Sequence, residues 1–506
     1  MAEQREAPSG AAFSTFTSVP DARATFGSSS ATEPPRGPFD YIVVGGGSAG
    51  CALASRLAQE SDASVLLLEA GGDDDVEAIH TPQRWVEALE SKACRFYETE
   101  PQPFTAGRTH MWPRGRVIGG SGSLNVSIFV RGHRADFDSW AYQGARGWDY
   151  ASLLPLFKAM EDFEGGASTF RGTGGPLHVS TPRPGRRHPG AVAFEEATQA
   201  MGYPSTPDLN GASMEGTGWA DLTVRDGRRQ SAAVAFLRPA LRRSNLTVVT
   251  DAPALSLVLE GGRCRGVRYL HGGKPHTVHA HAEVIVSSGS LESPRLLMLS
   301  GIGDAGELGA LGIDAAADLP GVGRNLQDHL LVGGIVYEGR GPQPPSNYNH
   351  SEVYLWARSE PGLFTPDLFI HHHSRAFAVP PTAPVENAYT IVPGLARAHS
   401  RGHIRLRSAD PNDPLLIDPR YLSSEQDRKA LLTSVKLSRE IGASAAYAEM
   451  RLREVLPGPD VKSDADLAEF TARAVHTFFH PTSTCRMGYE PDCVVDAELK
   501  VHGIEG

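Results

Sequence analysis

The sequence predicts an α/β fold built on a parallel sheet, from three observations. Tyr41-Ile42-Val43-Val44 is a short apolar run that passes at once into Gly45-Gly46-Gly47-Ser48-Ala49-Gly50. Leu53 and Leu57 then stand four apart, as on one face of a helix, and Val65-Leu66-Leu67-Leu68 forms a second apolar run ending at Glu69. Strand, helix and strand within about 30 residues have the size of a β-α-β unit. Much later, Val284-Ile285-Val286 is a third apolar run and leads into Ser287-Ser288-Gly289.

The remaining elements follow in chain order. Residues 1–38 are rich in Ser, Thr, Ala, Gly and Pro and carry no apolar stripe, so a disordered tail is expected. Helices are predicted over Leu153 to Glu161, over Ser293 to Leu299 with Pro294 in the first turn, and over Leu467 to Thr477. Residues 339–346 read as a Gly/Pro-rich loop, and Ile404-Arg405-Leu406-Arg407 alternates as a strand does. No internal repeat stands out.

Composition bounds the function. At roughly 100–200 residues per domain, 506 residues suggest two or three domains. With 40% apolar and 21% charged residues, a wholly disordered chain is excluded. No apolar run reaches the length of a transmembrane helix. A net charge of −11 repels phosphate backbones, which argues against nucleic acid as a partner. Five scattered cysteines with no C-x-x-C pair point to a reducing compartment, hence a cytoplasmic location. Targeting to an organelle through the tail is the alternative. Against it, Glu3, Glu6, Asp21 and Glu33 outnumber Arg5, Arg23 and Arg36 there.

Gly45-x-Gly47-x-x-Gly50 carries the first chemistry. The first glycine lets the chain turn out of the strand, the second lets backbone approach a pyrophosphate, and the third lets helix and strand pack closely. The helix N-terminus then presents free N–H groups to the phosphates. Glu69, 19 residues beyond Gly50, stands where a carboxylate accepts hydrogen bonds from ribose hydroxyls. That acid disfavours a 2′-phosphate but does not separate NAD from FAD.

Two further stretches separate them. They are Gly115-Arg116-Val117-Ile118-Gly119-Gly120-Ser121-Gly122-Ser123-Leu124-Asn125 and Gly289-Ser290-Leu291-Glu292-Ser293-Pro294, the latter running on to Ser300-Gly301-Ile302-Gly303. With the N-terminal unit they resemble the glucose-methanol-choline (GMC) family of flavin oxidoreductases, choline dehydrogenase-like and alcohol oxidase-like members included. Asp136 to Glu161, Ser231 to Pro239, Gly321 to His329 and Ser408 to Leu422 resemble the family as well, so the likeness spans residues 39–506.

The resemblance implies a Rossmann-like FAD-binding domain and a discontinuous α+β substrate domain with an antiparallel sheet. The FAD domain would take residues 39–135, 241–335 and an incomplete third part, 475–506. The substrate domain would take 136–240, which includes a crossover of the FAD domain, and 336–474. Ser48 and Ala49 would meet the pyrophosphate, and Glu69 the adenosine ribose. Val117, Gly120, Ser121, Asn125, Val126, Ser127 and Ile128 would run along the diphosphate and isoalloxazine. Ala254 matches a position whose backbone meets the adenine. Some members attach FAD covalently through a histidine just before the motif asparagine; Leu124 stands there in this chain, so FAD is expected to bind non-covalently.

His480-Pro481-Thr482-Ser483-Thr484-Cys485-Arg486-Met487-Gly488 resembles the family's catalytic stretch, which implies that His480 faces the flavin as general base. Ser483 replaces the usual glycine. The implied reaction is oxidation of an alcohol CH–OH, with a hydride passing to flavin N5 and a proton to the histidine. Oxygen or an electron carrier would be the acceptor. His371-His372-His373 is not read as a metal site, because strand alternation separates the imidazoles; one face is expected to line the substrate cavity and the other to lie at the surface. Asp136 and Asp138 read as solvated or capping acids.

The family pattern also implies a further C-terminal segment after Gly506, with the last strand of the FAD domain and a second active-site residue, so this chain is expected to bind FAD poorly or to be inactive. Flavin-dependent lyases, fatty-acid photodecarboxylases and non-catalytic FAD-binding remnants are the alternatives. Neither the substrate nor the oligomeric state is legible.

Overall fold

The computed structural model describes residues 34–35, 37–378 and 385–506. The tail expected over 1–38 lies almost wholly outside the described residues.

Two sheets organise the chain. The first has six strands, in the order Leu246–Val249, Val65–Leu68, Phe39–Val44, Lys274–Val286, Arg263–His271 and Ala254–Glu260. The first four neighbours are parallel and the last two are joined antiparallel. Lys274–Val286 serves both halves. Its start pairs with Arg263–His271, and its end runs beside Phe39–Val44. Only that apolar end was marked as a strand in the sequence, because the polar residues before it have no continuous apolar run.

Alternation explains why this sheet is buried on both faces. Val43, Val65 and Leu67 pack with Cys51, Ala54 and Ala58 of the helix Ser48–Glu60. Ile42, Val44, Leu66 and Leu68 point the other way, onto Val267, Tyr269 and Leu296.

The second sheet has eight strands and is antiparallel throughout. Its main path runs Arg451–Leu456, Ile335–Gly339, Ala388–Leu395, Leu368–His373, Val353–Ala357, Gly216–Trp219. Leu330–Val332 bridges Ala388–Leu395 to Val475–Thr477. The helices Pro189–Ala200 and Glu425–Ala443 cover one face. The other face opens on a cavity.

All three predicted helices end or begin elsewhere. The one expected over Leu153 to Glu161 runs Tyr150–Met160, and Glu161 opens a strand paired with Leu177–Val179. Asp464–Ala474 starts at a Ser463/Asp466 capping box, and Val475–Thr477 then leaves it as a strand, drawn off by pairing with Leu330–Val332. Gly289–Leu299 begins before Ser293, so Pro294 sits inside the helix rather than in its first turn. Lacking an N–H, Pro294 cannot bond the Ser290 carbonyl. The Thr484 hydroxyl donates to that carbonyl instead, at 2.6 Å, and so ties the helix to the segment after His480.

Candidate active site

The glycine turn is built by close approach. Gly45 has φ +105°, and a Cβ there would lie 2.7 Å from the Ser287 carbonyl. A Cβ on Gly50 would lie 1.9 Å from the Gly45 carbonyl. The helix that starts at Ser48 has no side-chain cap and no acid in its first turn, so its positive end is left open.

The 115–125 loop closes over this end. Gly119 N donates to the Gly46 carbonyl at 2.7 Å. Gly120, at φ +56°, brings its backbone so near that a Cβ would stand 2.8 Å from Gly47 Cα. A Cβ on Gly122 would stand 2.5 Å from Ser48 Oγ. Backbone therefore meets backbone around an uncapped helix N-terminus, a cradle that fits a pyrophosphate.

Glu69 is buried at the end of its strand. Its two oxygens accept from Gly46 N at 2.7 Å and Gly71 N at 2.8 Å, and burial pushes its carboxyl up to about 7. Each oxygen keeps a further lone pair for a hydroxyl. Val117 is buried and bridged to Gly72, and Ala49 is exposed on the first helical turn. Ala254 opens its strand opposite Tyr269, two residues after Ala252 N donates to the Glu69 carbonyl.

A cavity of about 1610 Å³ lies against the second sheet. That exceeds the roughly 300–1,000 Å³ of a single small-ligand site. Ser48, Ser121, Asn125, Val126, Ile128 and His480 line it. Gly45, Gly47, Ala49, Gly50, Glu69, Val117, Gly120, Ser127 and Ala254 do not; Ala49 and Gly50 lie in the first turn of the helix Ser48–Glu60, and the others in turns or at strand ends. Asn125 is pinned, because its Oδ1 accepts from Arg229 Nη1 at 2.6 Å and from Ser127 N at 2.9 Å.

His480 faces the cavity next to a residue given no role from the sequence. Its Nδ1 lies 3.1 Å from His329 Nδ1. Strand register makes the meeting. Leu330 pairs with Thr477, and Phe478 N donates to the His329 carbonyl, so 328–329 and 478–480 lie across from each other. Asp328 fixes the loop from behind. It accepts from His480 N at 2.9 Å and from the Thr477 and Tyr421 hydroxyls, each at 2.5 Å. Burial raises its carboxyl to about 6. Gly321 to His329 stood out in the sequence, but nothing in its spacing marked Asp328 or His329 as partners of a residue 150 positions away.

Burial holds His329 near 4 and His480 well below 6.5, so both are neutral at pH 7. A neutral imidazole carries one N–H, so across the 3.1 Å contact one Nδ1 donates and the other accepts. His480 is open to the cavity yet enclosed by protein, so its charged form is poorly hydrated. Ser483 holds φ +73°, the left-handed region that glycine occupies without strain.

The triple histidine departs from expectation. His371 and His373 line the cavity, but His372 is 1% exposed rather than at the surface. The helix-covered face explains this: His372 stacks with His188 at 5.3 Å and against Tyr389 and Tyr447. Asp136 is not merely solvated, since it forms an ion pair with Arg397 at the cavity wall. Asp138 accepts from Tyr150 N at 3.0 Å.

A dinucleotide cradle opening on a histidine-lined cavity defines an oxidoreductase that works through a bound nucleotide cofactor. Residues 39–331 and 398–506 match the family described as GMC oxidoreductase, and the chain belongs to that family. It is 41% identical to the mitochondrial choline dehydrogenase of Homo sapiens over 93% of this chain and 84% of that one. It is 39% identical to the oxygen-dependent choline dehydrogenase of Brucella anthropi over 92% and 89%. Among solved structures, pyridoxine 4-oxidase from Mesorbium loti superposes with a TM-score of 0.89 at 38% identity, covering 92% of each chain. Formate oxidase of Aspergillus oryzae superposes with a TM-score of 0.85 at 27% identity, covering 93% of each. The protein is an FAD-dependent oxidoreductase acting on alcohol CH–OH groups. Among the described residues, no helix is long and apolar enough to cross a membrane.

Proposed function

We propose that His480 is the general base of alcohol oxidation and that FAD is held without a covalent bond. The observation that carries the base assignment is that His480 lines the cavity with its Nδ1 paired to His329 Nδ1 at 3.1 Å, which leaves Nε2 as the ring nitrogen for the substrate. FAD, when bound, supplies the acceptor for the carbon-bound hydride. The chain's own task is the proton. His480 Nε2 takes it from the substrate hydroxyl, while His329 keeps the ring oriented through Nδ1. Asp328 accepts from the backbone N of His480 and so holds the loop that carries the base.

Ser48 and Ala49 would hold the pyrophosphate at the open helix end, and Glu69 the ribose. Val117, Gly120, Ser121 and Asn125 to Ile128 would follow the diphosphate towards the ring system, with Ala254 at the adenine. Leu124, buried before Asn125, has no nucleophilic atom with which to attach a flavin. The relatives' names offer choline and pyridoxine as candidate substrates. Oxygen or a carrier takes the electrons, and the cytoplasm is the proposed location.

The test is a visible spectrum of the purified protein, followed by denaturation. All flavin should pass into the supernatant, and alcohol added anaerobically to native protein should bleach it. Flavin that stays with the precipitated polypeptide contradicts non-covalent binding.

A further inference from the structure

We infer that Arg229 is a positioning residue of the cofactor cradle, and that the bound dinucleotide rather than the protein balances its charge. The inference rests on the proposed function, which lays the diphosphate along this cradle. Four arginines are buried among the described residues: Arg131, Arg171, Arg229 and Arg295. Three of them show what a buried charge requires. Arg131 pairs with Glu161 at 2.7 Å, Arg295 with Glu292 at 3.0 Å, and Arg171 with Glu161, Asp208 and Asp221. Arg229, 1% exposed, has no carboxylate partner among the described residues; burial alone acts on its guanidinium and pulls it down to about 10. The carboxylates of the neighbouring segments are engaged elsewhere. Glu77 pairs with Arg228 at 3.2 Å, Asp74 pairs with Arg238, and Glu69 accepts from Gly46 N and Gly71 N.

What Arg229 does touch is the loop that forms the cradle. Its Nε donates to the Ile79 carbonyl at 2.6 Å, and its Nη1 to Asn125 Oδ1 at 2.6 Å and the Gly122 carbonyl at 3.4 Å. Nη2 is buried with no partner. Every acceptor is neutral, so the guanidinium is hydrogen-bonded but not neutralised. A Cβ on Gly122 would meet Ser48 Oγ, and Asn125 lines the cavity, whereas Arg229 does not. Arg229 therefore fixes the 122–125 turn from behind and acts through it. Beside the same turn stands the N-terminus of the helix Ser48–Glu60, also positive and with no acid in its first turn. Two positive features thus flank one turn, Gly122-Ser123-Leu124-Asn125, that carries no acid of its own. A diphosphate supplies the missing charge, as anions do at open helix ends.

The test measures FAD affinity by titrating the apoprotein with FAD and following the quenching of flavin fluorescence. Arg229→Met should weaken binding by about tenfold or more, the scale on which a charged hydrogen-bonding group counts, and Arg229→Lys should recover part of the loss. Native affinity in Arg229→Met overturns the inference alone; no FAD binding by the native chain overturns the proposed function with it. Asn125→Asp reads the unbalanced charge without flavin or turnover, by placing a carboxylate at Nη1. The thermal midpoint of the Asn125→Asp apoprotein should rise, and in the Arg229→Met background it should not. A midpoint that stays level or falls in the native background, or that rises equally in both, overturns the inference. Asn125→Asp should also bind FAD more weakly, because Arg229 is then balanced from within. If Arg229→Met does not fold, the native-background midpoint of Asn125→Asp decides.

Discussion

His480 Nδ1 and His329 Nδ1 stand 3.1 Å apart because Leu330 and Thr477 are opposite each other in an antiparallel pair. Each imidazole is thus held by the other, and the pairing through Nδ1 leaves His480 Nε2 for the substrate.

Replacing His329 should therefore slow the reaction without emptying the site. His329→Phe removes the hydrogen-bond partner of His480 Nδ1, and flavin reduction should fall roughly 10–100-fold, as for other partners that orient a functional histidine. His329→Asn keeps an amide that can pair with Nδ1 and should lose less. Equal losses in both variants, measured by rapid mixing at matched flavin content, would count against a positioning role for His329.

The pH profile has a definite sign. Burial, with repulsion from His329 and Arg114, holds His480 well below 6.5, and the neutral form is the base. The kcat/KM of the holoenzyme should stay level as pH falls through 6.5 and decline only at lower pH. An acid limb with its midpoint at 7 or above would contradict the assignment.

Gly120→Ala tests the cradle. Gly120 combines φ +56° with a 2.8 Å approach to Gly47 Cα, so a methyl group must push the two loops apart. The left-handed conformation alone costs roughly 1–2 kcal/mol for a residue with a Cβ. The variant should purify with clearly less flavin, read as the ratio of visible to ultraviolet absorbance. Full flavin content would show that the loop does not need this closeness.

Buried histidines make the fold acid-sensitive. His373 and His476 are held near 4 and His350 near 3 by burial, against 6.5 in an unfolded chain. Their folded pKa values are depressed, so the stability they contribute is present above 6.5 and lost as pH falls towards 4. Glu69 and Asp328 act oppositely, because their raised values of about 7 and 6 weaken the fold as pH rises through that range. The urea midpoint should fall between pH 6.5 and 4. A flat or rising midpoint would contradict this.

Much of the parallel sheet was legible, because residues such as Ile42, Val43, Leu66 and Leu67 are buried on both faces and so form unbroken apolar runs. The glycine turn was legible because only glycine permits such approaches. His329 was not, since strand register rather than periodicity brings it to His480. His372 was misjudged, because alternation says which residues share a face but not that helices cover the other one. Pro294 read as a helix start, and the hydroxyl of Thr484 that satisfies the freed carbonyl is too distant in sequence to be foreseen.

The most direct test of the central claim is anaerobic rapid mixing of flavin-loaded His480→Ala with an alcohol that reduces the native enzyme. Flavin content should be unchanged and the reduction rate should fall about 10²–10⁴-fold, the usual worth of a positioned base. Reduction at the native rate would show that some other group removes the hydroxyl proton.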